Sequence, residues 1–338
     1  MENSNKIVRT ICLFSDEPTG QDIKRIMEVS QKLEEKGFAV QTKRLCSPSL
    51  ERLIEFEKIY KEKELVLGFG SVQDNNQLVR LLESRDIFFN SDLTGKEITN
   101  KDVQILFGLI GTKPDKTFNF TYVFNNQPSS PFLPAGTFEK NGFAIGLQST
   151  DLSEDCITLL EWLDKMKEVW EEIYDLFKAE PDFLGIDSSI APLFSGKSSL
   201  IAFIKKLGLD FSYSVTTDTY LTITDFIKKE NPKPIGLCGI MFPCLEDFEL
   251  SDEYEKGNFT IERNAYLSLH SGVGIDTYPI GIDEKPERVL VILKLLQKLS
   301  AKYHKPLSAR FVSDGKAKIG QRSNFENQYL KDVKIRPL

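Results

Sequence analysis

The chain has 338 residues, 41% hydrophobic and 28% charged, with a formal net charge of −7 and a pI near 5.2. That balance suits a soluble globular protein with a large core, and the acidic surplus argues against nucleic acid and anionic membranes as partners. No apolar stretch approaches the roughly 20 residues of a membrane helix, and the polar start and short run 7–14 do not make a secretory signal.

Residues 6–14 (KIVRTICLF) read as a strand. Thr19 can cap a helix over 21–36, on which Ile23, Ile26, Met27, Val29 and Leu33 form one stripe. Gly37 suits its left-handed stop. Residues 38–45 alternate as a half-buried strand, and Pro48 opens a second helix carrying Leu53, Ile54 and Phe56. Residues 64–70 form a third strand, then a helix runs through Leu82 and a strand covers 87–90. This β-α-β-α alternation predicts parallel pairing with right-handed crossovers. Residues 101–110 read as helix and 118–124 as strand, while 125–136, with four prolines or glycines, is a loop before a short strand at 143–147.

Asp151 or Ser153 is expected to cap the longest helix, where Leu159, Leu163, Met166, Trp170, Ile173 and Phe177 recur at spacings of four and three. Trp162 and Trp170 read as core on it. Pro181 ends that helix, 183–191 (FLGIDSSIA) is a strand, and helices run from Ser195 through Leu207 and over 222–229. Two apolar runs within 234–281 read as buried parallel strands, with helices over 246–256 and 261–269 between them. Pro286 fits the first position of a helix reaching Ala301, and 307–312 is the last strand before a polar tail from Ser313. The expected organisation is one α/β domain over 1–338, with a subdivision near residue 150 as the alternative.

In α/β sheets, side chains at the carboxyl ends of strands face the ligand crevice. Three acidic clusters fall there: Asp187 in GIDSSIAP, Glu246 and Asp247 in MFPCLEDF, and Asp276 in GVGIDTYP. If they converge, they either raise one another's pKa for acid–base work or recruit a hard cation. Magnesium or calcium would then sit on Asp187, Glu246 and Asp276. The alternative is that each acid caps the helix after its strand. Gly272 and Gly274 bring backbone close beside Asp276 and Thr277. Arg310 in the last strand either anchors an anionic ligand or pairs with one of the acids. Ser188 and Ser189 either donate to a ligand or satisfy turn backbone.

Weaker signals surround these. Ser195-Gly196-Lys197-Ser198 resembles the end of a P-loop, but Ala191 stands where the motif needs glycine and Pro192 stiffens the loop. Gly272 to Gly274 lacks the third glycine of a dinucleotide fingerprint, Thr277 holding that place. Five scattered cysteines, Cys12, Cys46, Cys156, Cys238 and Cys244, point to reduced thiols in a cytoplasmic protein. Cys238 and Cys244 lack zinc spacing, and two histidines, His270 and His304, exclude a histidine-rich metal site. His304 reads as a loop residue; His270 beside Ser271 is either catalytic or a core histidine.

Six segments in one order carry a resemblance: IVRTICLF, FAIGLQSTDL, GIDSSIAP, GLCGIMFPCLED, GVGIDTYP and KPLSARF. Together they resemble the DUF711 family, also called UPF0210, whose members are uncharacterised. The resemblance implies a fold similar to the pyruvate formate-lyase-like glycyl radical enzymes, an α/β barrel with parallel strands and outer helices. Departures accompany it. The family is commonly longer, often carries cysteine where Ser271 stands, and has a glycine-rich piece where this chain reads FSYSVTTDTY. Gly315 and Gly320 lack a glycyl radical consensus, so no glycyl radical is expected. The expectation is a non-radical enzyme acting on a small polar or anionic metabolite, with Asp187, Glu246, Asp247, Asp276 and Ser271 as catalytic candidates and Arg310, Ser188, Thr277, Gly272 and Gly274 contacting substrate. The alternative is a small-molecule-binding or regulatory protein without turnover, and either leaves room for a homo-oligomer. A third reading, nucleotide binding through Lys197, rests on the P-loop likeness alone.

Overall fold

The structure, a computed structural model, describes residues 6–60 and 65–338. The polar start at 1–5 and Glu64, the expected first residue of the third strand, lie outside them. The protein is a mixed α/β chain in which most strand pairs are parallel. It divides into two compact units, each assembled from three segments: residues 1–90, 127–190 and 223–239 form unit 1, and residues 91–126, 191–222 and 240–338 form unit 2.

Unit 1 contains β1 (Ile7–Phe14), α1 (Gly20–Glu35), β2 (Ala39–Val40), β3 (Lys43–Cys46), α2 (Leu50–Ile59), β4 (Leu65–Ser71), α3 (Asn75–Glu83) and most of β5 (Ile87–Asp92). Its chain order breaks off there because α4 (Asn100–Thr112) and β6 (Phe120–Phe124) belong to unit 2. It resumes with β7 (Gly142–Leu147), α5 (Leu159–Phe177) and β8 (Phe183–Asp187). The strands lie in the order β8-β7-β1-β3-β4-β5, with β2 beside β1. Thr19 and Asp22 form a capping box at the start of α1, and Gly37 leaves it at φ 81. Ile26, Val29 and Leu33 bury its stripe, while Met27 is turned outward.

One face of this sheet packs aromatic rings against α5: Phe143 meets Phe177 edge-on at 5.2 Å. The other face carries small residues, Gly68, Ala144 and Gly146 among them, and the helix-free segment 129–136 lies buried across it. A Cβ built on Gly146 would lie 2.6 Å from the Phe132 ring, and one on Gly68 2.6 Å from Leu133. The sequence marks this segment only as a loop. It is a strap whose apolar side chains fill the space that two glycines leave open.

The rest of unit 2 comprises α6 (Leu200–Lys206), α7 (Phe211–Ser214), the start of α8 (Thr219–Glu230), α9 (Phe248–Glu255), α10 (Ile261–His270), β9 (Gly274–Pro279), α11 (Pro286–Tyr303) and β10 (Leu307–Val312). Its strands run β6-β10-β9. Val289, Ile292, Leu293 and Leu296 bury one side of α11, whereas Val291 and Leu295 are exposed, so that helix is amphipathic.

Several expectations need correction. Strand direction is not uniform: β7 runs antiparallel to β1, and β6 antiparallel to β10. The alternation of elements informs on direction only where a helix links consecutive strands, and β7 follows the helix-free strap. The apolar run from Pro234 forms isolated bridges, not a strand. Gly236 (φ 72) and Cys238 (φ 44) turn its backbone, and Pro243 has no N–H for a ladder. The long helix starts at Thr158, whose capping box with Glu161 is complete, while Asp151 and Ser153 sit in a 3-10 turn before it. The strand expected over 38–45 is broken into β2 and β3, and that over 183–191 ends at Asp187. The helix expected from Ser195 opens as a 3-10 turn and becomes α-helical at Leu200.

Candidate functional site

In unit 2, β9 and β10 bring Asp276 and Arg310 together. The two strands pair in parallel, and their register slips between Ala309 and Phe311. The slip coincides with Thr277, held at φ 38, an uncommon conformation for a β-branched residue. Arg310 Nε donates to Asp276 Oδ1 at 2.7 Å, and Nη2 to Glu246 Oε2 at 2.6 Å. Its Nη1 donates to the Phe118 carbonyl at 3.4 Å, and the guanidinium carbon lies 5.0 Å from the Phe118 ring centre. Glu246 reaches this point because Pro243 bridges to Asp276 and the Cys244 N–H donates to the Asp276 carbonyl at 3.0 Å.

The side chains of Arg310, Glu246 and Asp276 are 8%, 9% and 14% exposed. Burial works against the guanidinium charge, but Asp276 and Glu246 outweigh it and hold its pKa above the ordinary value. A guanidinium has five N–H bonds; three find protein acceptors here. The remaining two, and Asp276 Oδ2, make no hydrogen bond among the described residues. Phe118 was missed in the sequence because an aromatic in a strand-like run carries no mark of what its face covers.

Asp247 points elsewhere. It caps α9 by accepting from the Leu250 N–H, and it also accepts from Ser199 Oγ at 2.6 Å and the Leu200 N–H at 3.1 Å at the start of α6. Burial pushes its pKa up to about 7, although the Ser199 hydrogen bond opposes the rise. The helix-capping alternative therefore describes Asp247. It also bears on the P-loop likeness, because an intramolecular carboxylate takes the amides at α6 that a phosphate would need.

Asp187 lies in unit 1 at the end of β8 and is fully buried. Its Oδ1 accepts from the Ser189 N–H (3.0 Å), Ser189 Oγ (2.6 Å) and the Cys238 N–H (3.1 Å). Its Oδ2 accepts from Ser130 Oγ (2.7 Å) and the Leu237 N–H (3.0 Å). A Cβ on Gly236 would meet Oδ2 at 2.3 Å. Asp187 thus pins the turn at 236–238 and one end of the strap. Ser188 donates to the Ile227 carbonyl at 3.1 Å, satisfying backbone.

Ser271 ends α10, five residues before Asp276, and lies 2.7 Å from His270 Nδ1. Burial, with the Lys305 charge, lowers the His270 pKa. Gly272 and Gly274 serve close packing: a Cβ on Gly274 (φ 112) would lie 2.1 Å from the Ser308 carbonyl oxygen. The Thr277 hydroxyl accepts from the Leu245 N–H at 3.4 Å, tying the Glu246 segment to β9. His304 ends α11 in the left-handed conformation and is exposed. Among the described residues no group of three or more His, Cys, Asp or Glu side chains is arranged to hold a metal ion, and no helix is long and apolar enough to cross a membrane. The five cysteines are buried thiols.

The family model described as "Uncharacterised ACR (DUF711)" matches residues 110–326. The chain belongs to the DUF711 family. That match spans Phe118, Glu246, Asp276 and Arg310, so the whole unit 2 cluster lies within the DUF711 region. No curated protein matches the chain.

Proposed function

We propose that this DUF711 protein is a cytoplasmic, non-radical enzyme that acts on a small anionic metabolite at Asp276, Arg310 and Glu246. The observation that carries the reading is the guanidinium of Arg310, fastened on two sides by carboxylates and on its face by Phe118, with two N–H bonds to spare. A guanidinium so oriented is suited to a carboxylate or phosphate group. Asp276 Oδ2 has no hydrogen-bond partner among the described residues and is the base within reach of a ligand held there. Glu246 orients Arg310. Strain at Thr277 fits a working site, where such conformations concentrate. Arg310 already supplies the cation between Glu246 and Asp276, which favours acid–base work over magnesium or calcium. Asp187 and Asp247 act as fasteners of backbone in this reading, and Ser271 stands outside the cluster. The DUF711 resemblance extends the reading to a barrel of the glycyl radical enzyme type, supported by the parallel pairs within each unit.

The rival reading is a binding protein without turnover, favoured by Ser271, which stands where the family often carries cysteine and lies outside the cluster. Thermal-shift screening of small carboxylates and phosphates, followed by product analysis for each binder, separates the two. The enzyme reading expects a binder that is converted, and Asp276→Asn to lower conversion by about 100-fold or more while retaining binding. Stabilisation without product supports the rival. A binder unaffected by Arg310→Lys removes the site altogether.

A further inference from the structure

Helix α11 of unit 2 turns a basic and apolar face to solvent. Val291 and Leu295, 51% and 47% exposed, stand one turn apart on it. Lys294, Lys298 and Lys302, all exposed, recur at intervals of four along the same side. At about 3.6 residues per turn, these five positions share roughly 100° of the helix surface. The Lys302 ammonium lies 5.3 Å from the Tyr303 ring centre. None of these lysines has an ion-pair partner among the described residues.

Helix α5 of unit 1 carries the opposite charge. Asp164, Glu168, Glu171 and Asp175 are exposed and, with Leu160, occupy one side of it. Leu160 and the preceding Ile157 are 64% and 73% exposed. The lysines beside this row are engaged elsewhere: Lys165 with Asp155 at 4.0 Å, Lys167 with Glu230 at 2.7 Å. Asp175 pairs with Lys178 at 2.7 Å, whereas Asp164, Glu168 and Glu171 have no ion-pair partner among the described residues. The row borders a hollow lined by Lys36, Glu168, Glu171, Glu172, Asp175 and Leu176.

Like charges four apart on a helix repel, so each row is unfavourable within one chain. The two rows have opposite sign and matching pitch. Lys294 to Lys302 spans about 12 Å, and Asp164 to Glu171 about 10 Å, at roughly 1.5 Å per residue. With the helices parallel, the register that sets Asp164 against Lys294 also sets Glu168 against Lys298 and brings Lys302 over the hollow. The same register leaves Leu160 one position from Val291, so the exposed apolar residues of the two helices meet. An antiparallel register would set Val291 against the Lys178 end instead.

We infer that copies of this chain associate, the α11 face of one copy lying on the α5 face of the next. A second copy is the occupant because the chain itself presents both halves of the complementary pair. The contact joins two different surfaces, so it either closes into a symmetric assembly or continues from copy to copy.

The test is sedimentation velocity of the full chain over a wide concentration range. The wild type should exceed the monomer mass in low salt, and its dissociation constant should rise in ~1 M salt, where the screening length is about 3 Å. Lys294→Glu with Lys298→Glu, and separately Asp164→Lys with Glu168→Lys, should each raise the dissociation constant at least about tenfold. All four side chains are exposed and outside the Asp276–Arg310 cluster, so both variants should melt close to the wild-type temperature. Mixing the two variants should restore association, because each then offers the other a face of opposite charge. A wild type that stays monomeric throughout overturns the inference. So does an assembly that neither charge reversal weakens, or a mixture no more associated than its separate components.

Discussion

Replacing Asp187 tests whether a carboxylate buried among five donors acts as a structural fastener. Asp187→Ala removes the acceptor for three backbone N–H groups, those of Ser189, Leu237 and Cys238, and for the hydroxyls of Ser130 and Ser189. The hydroxyls can rotate toward other partners; the amides cannot. At about 1–3 kcal/mol for each buried donor left unsatisfied, the three amides alone cost roughly 3–9 kcal/mol. That is a large share of the ~5–15 kcal/mol that holds a typical domain folded. Asp187→Asn should be milder. Its oxygen can keep the three bonds now made to Oδ1, and its NH2 can donate to Ser130. Only the Leu237 N–H is then orphaned, a loss of about 1–3 kcal/mol. Urea unfolding followed by tryptophan fluorescence reads the right part of the molecule, since both tryptophans, Trp162 and Trp170, are buried on α5 of unit 1. An Ala variant within about 1 kcal/mol of the wild type, less than a single orphaned amide should cost, would refute the reasoning. So would an Asn variant as damaged as the Ala one.

Three further outcomes follow from unit 2 and the glycines. Arg310→Met should cost ~3–5 kcal/mol because it strands two buried carboxylates, and adding Glu246→Gln should restore part of it; urea midpoints by circular dichroism check both, and a double variant no better than the single contradicts the ion-pair account. Burial raises the Asp247 pKa from 3.8 to about 7, so the protonated form is the one favoured in the fold. Its contribution is complete below about pH 4 and is lost as pH rises through about 7. Asp247→Asn should flatten this part of the stability–pH curve between about pH 4 and 7, and an unchanged slope counts against it. Gly274→Ala puts a methyl 2.1 Å from the Ser308 carbonyl oxygen at φ 112 and should cost about 3 kcal/mol or more. Gly20→Ala meets nothing within 4 Å and should gain about 0.4–1 kcal/mol. Melting temperatures moving in the same direction for both glycines would defeat the argument.

Local chemistry was the legible part of the fold. Thr19, Gly37, Pro286 and the seam from Leu163 to Phe177 announce their helices because caps, stops and stripes depend on neighbours a few residues away. Strand direction at β7 and β6 was not legible, since it depends on partners far along the chain. At the site, Asp276 and Arg310 could be singled out as strand-end groups, and the open choice at Arg310 between ligand anchor and ion pair is met by pairing with Glu246 and Asp276 together. Asp187, Glu246 and Asp247 looked alike in sequence yet differ in surroundings: one pins a turn, one holds a guanidinium, one caps two helices. Which role each takes depends on which donors the tertiary structure aims at it. The capping box of Thr158 with Glu161 is likewise a local signal, set by residues three apart, whereas Asp151 and Ser153 stand nearer the preceding strand.

The seating of Phe132 over Gly146 and Leu133 over Gly68 couples two stretches that evolution or a designer would otherwise treat as independent. A strap with smaller side chains would leave holes in the sheet, and a sheet with larger ones would lift the strap. Transplanting the 129–136 segment into another protein, or diversifying it in a library, therefore succeeds only when the recipient strands carry glycine at the two matching positions.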